Sequence, residues 1–157
     1  MEKLIWVDEP EKKASIAESI LIRLPDWFSL PESTQHYIEE SRSLPFLACL
    51  SEGKPVGFAV LRRTSPYTAE LYVMGVLSEY HRQGIGTRLF LALKDYARTQ
   101  GFEYMQVKTV QTGHYEEYDR TNCFYQRMGF RELEVLPLWD EWNPCQVYVM
   151  VLDRGAN

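Results

Sequence analysis

The segment from Glu70 to Phe90, ELYVMGVLSEYHRQGIGTRLF, constrains the fold of this chain more than any other part. It begins with a run of Leu, Val, Met and Tyr residues, which predicts a strand. Ser78 to Gln83 then form a turn. Apolar residues at three- and four-residue spacing from Ile85 onward predict a helix, and Gly101 is expected to end it. A strand that leads through a turn into an amphipathic helix is typical of a mixed fold rather than an all-α or all-β one.

The predicted start of that helix has the properties of an anion site. The first N–H groups of a helix lack partners inside it, and the helix dipole adds partial positive charge there. Gly84 and Gly86 would let a ligand approach this backbone, and Arg82 and Arg88 add positive charge. A phosphate or pyrophosphate fits this chemistry, whereas glycines that only shape a tight loop are the alternative. The P-loop pattern needs a Lys-Ser or Lys-Thr pair after its last glycine, and this segment has none. The dinucleotide-binding fingerprint needs a third glycine and a shorter turn after the strand.

Two motifs carry a resemblance to a known family. Residues 80–89, YHRQGIGTRL, resemble the Arg/Gln-x-x-Gly-x-Gly/Ala acetyl-CoA motif of the GNAT superfamily of N-acetyltransferases. Residues 122–130, NCFYQRMGF, resemble its Asn-x-x-x-Tyr-x-x-x-Gly-Phe segment, with Asn122 three residues before Tyr125 here. The order of predicted elements along nearly the whole chain is also that of the superfamily. The main departure is His81, which occupies the first Arg/Gln position of the acetyl-CoA motif.

The element order predicts an α+β fold with a single mixed, mostly antiparallel sheet of about seven strands and helices on both faces. A chain of 157 residues leaves no room for a second domain, so one N-acetyltransferase domain spanning residues 1–157 is expected. The resemblance further implies that the motif strand carries a bulge and splays from the following strand to form the acetyl-CoA cleft. Downstream we predict a helix from Asp119 to Met128, ended by Gly129, and a loop from Pro137 to Pro144.

The resemblance implies acetyl-CoA as cosubstrate and no metal. Extended pantetheine can imitate a strand edge, so the motif strand would bind it through backbone groups, and the loop would cradle the diphosphate. Asn122 would contact the pantetheine arm or hold the cofactor, and its alternative role is that of a helix cap or a surface amide. The predicted cofactor-binding residues are Met74, Val76, Leu77, His81, Arg82, Gln83, Gly84, Ile85, Gly86, Thr87, Arg88 and Asn122.

Acetyl transfer from a thioester requires a neutral amine, and the leaving thiolate benefits from a proton because a free thiol has a pKa of about 8.5. Tyr125 matches the family's general-acid tyrosine and is the predicted proton donor, although without the resemblance a core aromatic would be favoured. Glu70 is the leading candidate for the general base, acting through a water. His114 is the runner-up, because an imidazole with an ordinary pKa of about 6.5 suits a base. Proton relay by water alone is the third option.

Recognition of the acceptor should come from loops. The predicted substrate-binding residues are Trp27, Phe28, His114 and Trp139, against the alternative that they belong to a solvated surface. Trp139 and Trp142 could instead form a homodimer contact, since exposed aromatic residues are enriched at protein interfaces.

The expected activity is acetyl-CoA-dependent N-acetylation of a primary amine by direct attack in a ternary complex, with a small-molecule amine as the first choice of acceptor. Two alternatives stay open: a non-catalytic acyl-CoA-binding or sensor module, and a protein or peptide N-acetyltransferase.

Composition and charge argue against several other classes of protein. A net charge of −5 argues against a nucleic-acid surface, and three cysteines without paired spacing argue against a disulfide framework or a zinc site. No basic segment followed by an apolar run opens the chain, and no apolar stretch is long enough to cross a membrane. No membrane partner and a cytoplasmic location are therefore expected.

Overall fold

The computed structural model of the protein describes residues 2–152. The strands are β1 (Glu2–Val7), β2 (Phe46–Ser51), β3 (Lys54–Arg63), β4 (Thr68–Val76), β5 (Tyr104–Val110), β6 (Arg131–Asp140) and β7 (Asn143–Val151). The helices are α1 (Pro10–Leu21), α2 (Pro31–Ser41), α3 (Ile85–Thr99) and α4 (Glu116–Arg127), and a short 3₁₀ turn covers Ser78–Tyr80.

The strands pair in the order β1-β2-β3-β4-β5-β7-β6. The β4–β5 pair is parallel, as expected for two strands joined by a crossover helix, here α3. The β1–β2, β2–β3, β5–β7 and β6–β7 pairs are antiparallel. These pairings confirm the predicted α+β class and the mixed, mostly antiparallel sheet of seven strands.

The chain divides into two compact units. Among the described residues, the first unit comprises 2–62 and Leu71–Tyr96, and the second comprises Arg63–Glu70 and 97–152. Strand β4 and helix α3 each contribute residues to both units. The recorded ladder between β4 and β5 covers three residue pairs, Thr68 to Glu70 opposite Tyr104 to Gln106, and it lies entirely in the second unit.

Helix α3 buries the apolar face that its sequence spacing predicts. Ile85 is 1% exposed, and Leu89 and Leu93 are fully buried. The helix can approach the sheet closely because Gly57 of β3 has no side chain. A Cβ atom at Gly57 would lie 3.2 Å from Leu89 Cδ1 and 3.3 Å from Ile85 Cγ2. Close packing of this kind fixes where α3 begins relative to the strands of the first unit.

Strand β4 departs from regular alternation within the first unit. The ring of Tyr72 lies 5.3 Å from that of Tyr37 on α2, whereas a Cβ at Gly75 would lie 3.2 Å from Ile20 Cγ2 on α1. Helices α1 and α2 pack against each other, so Tyr72 and Gly75 face the same helical layer. In a regular strand, residues three apart face opposite sides. One extra residue between them, as in a β-bulge, would account for this arrangement, and the bulge that the resemblance implies stays a prediction.

Glycines end α3 and α4 as the sequence predicts. Gly101 has a φ of +90°, and its N–H donates to Arg98 C=O while the N–H of Phe102 donates to Ala97 C=O. Gly129, with a φ of +106°, forms the same pair of bonds at the end of α4. This bonding defines a Schellman motif, which requires a left-handed residue and therefore favours glycine. The start of α4 was predicted less well, because the helix begins at Glu116 rather than Asp119.

The predicted loop from Pro137 to Pro144 is wrong. Strand β6 continues to Asp140 and β7 begins at Asn143, so only Glu141 and Trp142 form the turn. The Asp140 carboxylate closes it by accepting hydrogen bonds from the Trp142 N–H at 2.9 Å and from the Asn143 side-chain amide. This local bonding is the reason that a two-residue turn suffices. Trp139 is accordingly a strand residue rather than a loop residue.

Candidate functional site

The loop between β4 and α3 has a left-handed backbone at two positions. Arg82 has a φ of +63° and Gly84 a φ of +79°. Open space surrounds Gly84, since a Cβ atom there would meet nothing within 4 Å. Glycine is therefore needed at position 84 for its backbone conformation and not for room. The left-handed arginine costs roughly 1–3 kcal/mol of strain, a kind of strain that clusters at ligand-binding sites.

Helix α3 offers backbone donors at its first turn. Its first hydrogen bond runs from the Arg88 N–H to the Gly84 C=O at 3.0 Å, so the N–H groups of Ile85, Gly86 and Thr87 have no acceptor within the helix. The side chain of Ile85 anchors this turn in the core, while Gly86 and Thr87 are half-buried and Gly84 is exposed. Fixed amides at the positive end of a helix dipole can bind an anion.

The His81 side chain ties this loop to the end of β4. The Leu77 N–H donates to Val56 C=O on β3 at 2.9 Å. Because the peptide bond between Val76 and Leu77 is trans, the Val76 C=O points away from β3. His81 Nε2 lies 2.6 Å from that carbonyl oxygen and donates to it, since a carbonyl can only accept. His81, which stands where the acetyl-CoA motif has Arg or Gln, therefore holds the loop to the end of β4, a role that the sequence did not reveal.

We expect His81→Ala to weaken CoA binding about 3- to 10-fold, the value of one hydrogen bond that orders the loop before the ligand arrives. Isothermal titration calorimetry with CoA measures this. Trp27→Phe is the matched control, because Trp27 touches the His81 ring edge-on at 5.8 Å and the substitution keeps an aromatic ring there. An affinity that rises in His81→Ala would mean instead that the imidazole blocks the Val76 carbonyl.

The other predicted residues of the first unit lie in varied surroundings. Arg88 directs its guanidinium to the Glu2 carbonyl of β1 at 3.5 Å, so binding a diphosphate would need a different rotamer. Gln83 Nε2 donates to the Glu79 carbonyl, and Glu79 forms an ion pair with Arg23. The hydrogen bond from its own backbone N–H lowers the pKa of the Glu79 carboxyl most, and the charge of Arg23 lowers it further. The exposed residues are Arg82, Gln83 and Arg88, and the half-buried ones are Met74, Val76, Trp27 and Phe28.

In the second unit, the predicted base Glu70 is buried and paired. It is 4% exposed, and its Oε2 lies 2.8 Å from Lys108 Nζ on β5. Cys145 of β7 is close enough to respond to both charges. Burial raises the pKa of the Cys145 thiol, Lys108 lowers it and Glu70 raises it. Lys108 was not singled out in the sequence, although the alternation of β5 places it on the same face as Gln106, the residue opposite Glu70.

Asn122 is also buried, at 1% exposed, and its side chain bonds within the protein. Nδ2 donates to Val110 C=O at 2.9 Å and to Tyr118 C=O at 2.7 Å, and Oδ1 accepts from the Tyr148 hydroxyl. Burial raises the pKa of Tyr148, partly offset by the hydrogen bond from Gln126. This network joins α4, β5 and β7. It gives Asn122 a holding role rather than a surface or capping one, and direct contact with the cofactor stays a prediction.

Tyr125 lies half-buried on α4 among aromatic rings. Its ring centroid is 5.7 Å from that of Phe124, 5.8 Å from Phe130 and 6.1 Å from Tyr148. These contacts fix the ring plane, which a proton donor needs and which a purely structural tyrosine would also show. Its catalytic role therefore stays a prediction.

His114 lies exposed in the short loop between β5 and α4. The Asp119 carboxylate anchors that loop by accepting bonds from the Gly113 N–H at 2.7 Å and the Thr112 hydroxyl at 2.9 Å. Both bonds lower the pKa of the Asp119 carboxyl, and the bond from the Gly113 N–H has the larger effect. Trp139, the last predicted substrate residue, is 43% exposed on β6.

Between residues 2 and 152, no group of three or more His, Cys, Asp or Glu side chains is placed to hold a metal ion. None of the helices in the same range combines the length and the apolar character that a membrane crossing requires.

Comparison with known proteins identifies the family. The protein-family model described as "Acetyltransferase (GNAT) family" matches residues 14–130, well over half of the chain. This protein therefore belongs to the GNAT family of acetyltransferases.

Among its relatives, it is 30% identical over 113 residues to N-alpha-acetyltransferase RimI of Mycobacterium tuberculosis. That match covers 70% of this chain and 66% of RimI, just under two thirds of the relative's length.

Solved structures share the fold. The ribosomal-protein-S18-alanine N-acetyltransferase of Escherichia coli matches with a TM-score of 0.78 and 17% identity, over 100% of this chain and 97% of that one. The Salmonella typhimurium protein yncA, solved with its cofactor acetyl-CoA, matches with a TM-score of 0.72 and 18% identity, over 99% and 96% of the two chains. At these identities the likeness concerns the fold alone.

Proposed function

We propose that this protein is an N-acetyltransferase that moves the acetyl group of acetyl-CoA onto a primary amine by direct attack in a ternary complex. The observation that carries the proposal is the first turn of α3, where backbone amides that follow a left-handed glycine are able to donate to an anion, in a chain of the GNAT family. Acetyl-CoA, when bound, supplies an acetyl group activated as a thioester. No metal is part of the proposal.

The residues of the first unit suit the binding of such a cosubstrate. The N–H groups of Ile85, Gly86 and Thr87 can donate to a diphosphate, and exposed Arg82 can add charge. The Val76 carbonyl points away from β3 and already accepts from His81, and its second lone pair can accept a bond from an extended amide chain in the manner of a sheet edge.

The second unit would supply the proton transfers. The Tyr125 hydroxyl would give a proton to the leaving sulfur, the role of the family's general-acid tyrosine. The Glu70 carboxylate would accept the proton that the attacking amine loses, through a water. The role of Tyr125 follows from the resemblance, and that of Glu70 from the chemistry of a carboxylate in the strand that leads into the acetyl-CoA motif.

A second candidate acceptor is a protein N-terminus, since the curated relative is an N-alpha-acetyltransferase. An α-amino group has a pKa of about 7.7–8.0, so a useful fraction is neutral near pH 7, whereas a lysine amine at about 10.4 is almost fully charged. The small-molecule amine expected from the sequence stays the first choice. A cytoplasmic location and a homodimer contact at Trp139 and Trp142, which are 43% and 70% exposed, also stay predictions.

An amine panel with detection of released thiol tests the proposal. It should contain small primary amines, peptides with a free N-terminus, and the same peptides with a blocked N-terminus and an internal lysine. Turnover with one class identifies the acceptor. A sensor module would bind CoA without turnover, and a domain with no ligand would not be stabilised at all. A true site should stabilise the fold by about 2.7 kcal/mol at a CoA concentration a hundredfold above Kd, measured by thermal unfolding.

A further inference from the structure

The proposed reaction uses the Glu70 carboxylate but leaves its partner without a role. Lys108 Nζ lies 2.8 Å from Glu70 Oε2, and both residues belong to the second unit. The parallel ladder sets this contact. Glu70 stands opposite Gln106, and Lys108, two residues further along β5, presents its side chain on the same face.

The two partners differ in their access to water. The Glu70 side chain is 5% exposed and the Lys108 side chain 24% exposed. A buried carboxylate is poorly solvated and tends to take up a proton unless an opposite charge or hydrogen-bond donors stabilise the anion. The Lys108 ammonium does this directly, and its partial exposure lowers the desolvation cost of its own charge.

Neighbouring strands contribute two further titratable groups to this region. Cys145 of β7 interacts with both charges of the pair, and its buried thiol has a raised pKa, so it stays protonated near neutral pH. Glu134 of β6 pairs with Val147, which in turn pairs with Lys108, so these three side chains follow one row across the sheet. Glu134 is exposed, and its carboxylate is therefore screened by water.

We propose that Lys108 is a positioning residue for Glu70, holding the carboxylate through the 2.8 Å ion pair in one orientation from which it can accept a proton. The inference rests on the proposed function, because it assumes that Glu70 is the base. It adds a residue that neither the motif resemblance nor the family match assigns.

The test is the pH dependence of kcat/KM in the complete chain, with acetyl-CoA and whichever amine the panel identifies. In Lys108→Met, the acid limb of the kcat/KM profile should move to higher pH, because the Glu70 carboxylate loses the opposite charge 2.8 Å away. Activity at low pH then falls and returns as the pH rises. Lys108→Arg, which keeps the charge, should restore the limb to within about half a unit. A purely structural lysine would lower activity equally at every pH.

Glu70→Gln separates this inference from the proposal beneath it. Loss of the acid limb in Glu70→Gln together with an unmoved limb in Lys108→Met would overturn the role of Lys108 and keep Glu70 as base. An unchanged profile in Glu70→Gln would remove Glu70 from the mechanism and the inference with it. Should Lys108→Met fail to fold, Lys108→Gln, which keeps a donor but no charge, is measured in its place with the same expected shift.

Discussion

Replacing Tyr125 by Phe should lower kcat about 100- to 10,000-fold, the usual contribution of a positioned general acid, while the Kd for CoA changes less than about twofold. The substitution removes one hydroxyl group. The ring contacts with Phe124, Phe130 and Tyr148, at 5.7–6.1 Å, do not depend on that hydroxyl, so the fold should be kept. Steady-state kinetics by thiol release and calorimetry with CoA measure the two effects separately.

Tyr118→Phe is the matched control for this prediction. Tyr118 is a half-buried tyrosine on the same helix, and its recorded ring neighbour is Tyr115 at 6.0 Å. Its kcat should stay within about twofold of the parent. Equal losses in both variants would point to a general effect of losing a hydroxyl on α4. An unchanged kcat in Tyr125→Phe would make Tyr125 a core aromatic, the alternative that its sequence surroundings favour when considered without the family motif.

Local signals account for the parts of the fold that the sequence predicted. The periodicity of α3, the left-handed glycines at positions 101 and 129, and the alternation of β5 act over a few residues of chain. Strand β5 covers Tyr104–Val110, where buried Met105 and Val107 alternate with more exposed neighbours. Such features depend on short-range sterics and burial, which a pattern of residue types expresses directly.

Pro137 shows how tertiary context can override a local signal. A proline two residues before Trp139, in a segment with a second proline at position 144, is typical of a loop, yet β6 runs through Pro137 and Trp139. Strand β6 lies at one end of the strand order, so its outer side needs no N–H to bond a neighbour, and an edge strand tolerates proline for that reason. The position of a strand in the sheet cannot be read from its own residues.

The side-chain partners in the candidate site could not be predicted from the sequence either, because they depend on how distant elements are arranged in the fold. Glu70 and Lys108 are 38 residues apart in sequence, and Asn122 and Tyr148 are 26 residues apart. Each pair meets only because two strands, or a strand and a helix, align in one register. The sequence singled out Glu70 from its place in the strand before the acetyl-CoA motif and Asn122 from its motif position, and the structure adds the groups to which they bind.

The Asn122 network leads to the largest expected change in stability. Asn122→Leu keeps a similar volume but removes the donor to Val110 C=O and the acceptor for the Tyr148 hydroxyl. The Tyr118 carbonyl keeps its helical bond from the backbone N–H of residue 122. The Tyr148 hydroxyl still accepts from Gln126, but its O–H loses its acceptor and the Val110 carbonyl loses its side-chain donor. These two losses cost about 1–3 kcal/mol each, or about 2–6 kcal/mol together. That is a large share of a typical unfolding free energy of about 5–15 kcal/mol.

Urea denaturation of Asn122→Leu, Tyr148→Phe and the double variant measures this prediction. Removing the Tyr148 hydroxyl should cost less in the Asn122→Leu background than in the parent, because the group then has no amide acceptor to lose. The same variants decide between the two roles of Asn122. If Asn122→Leu is destabilised but the folded fraction binds CoA with the affinity of the parent, Asn122 holds α4 against β5 and β7. Parent-like stability combined with weak CoA binding would mean that its amide turns toward the cofactor, as the family motif implies, and would contradict the network as the main role of this residue.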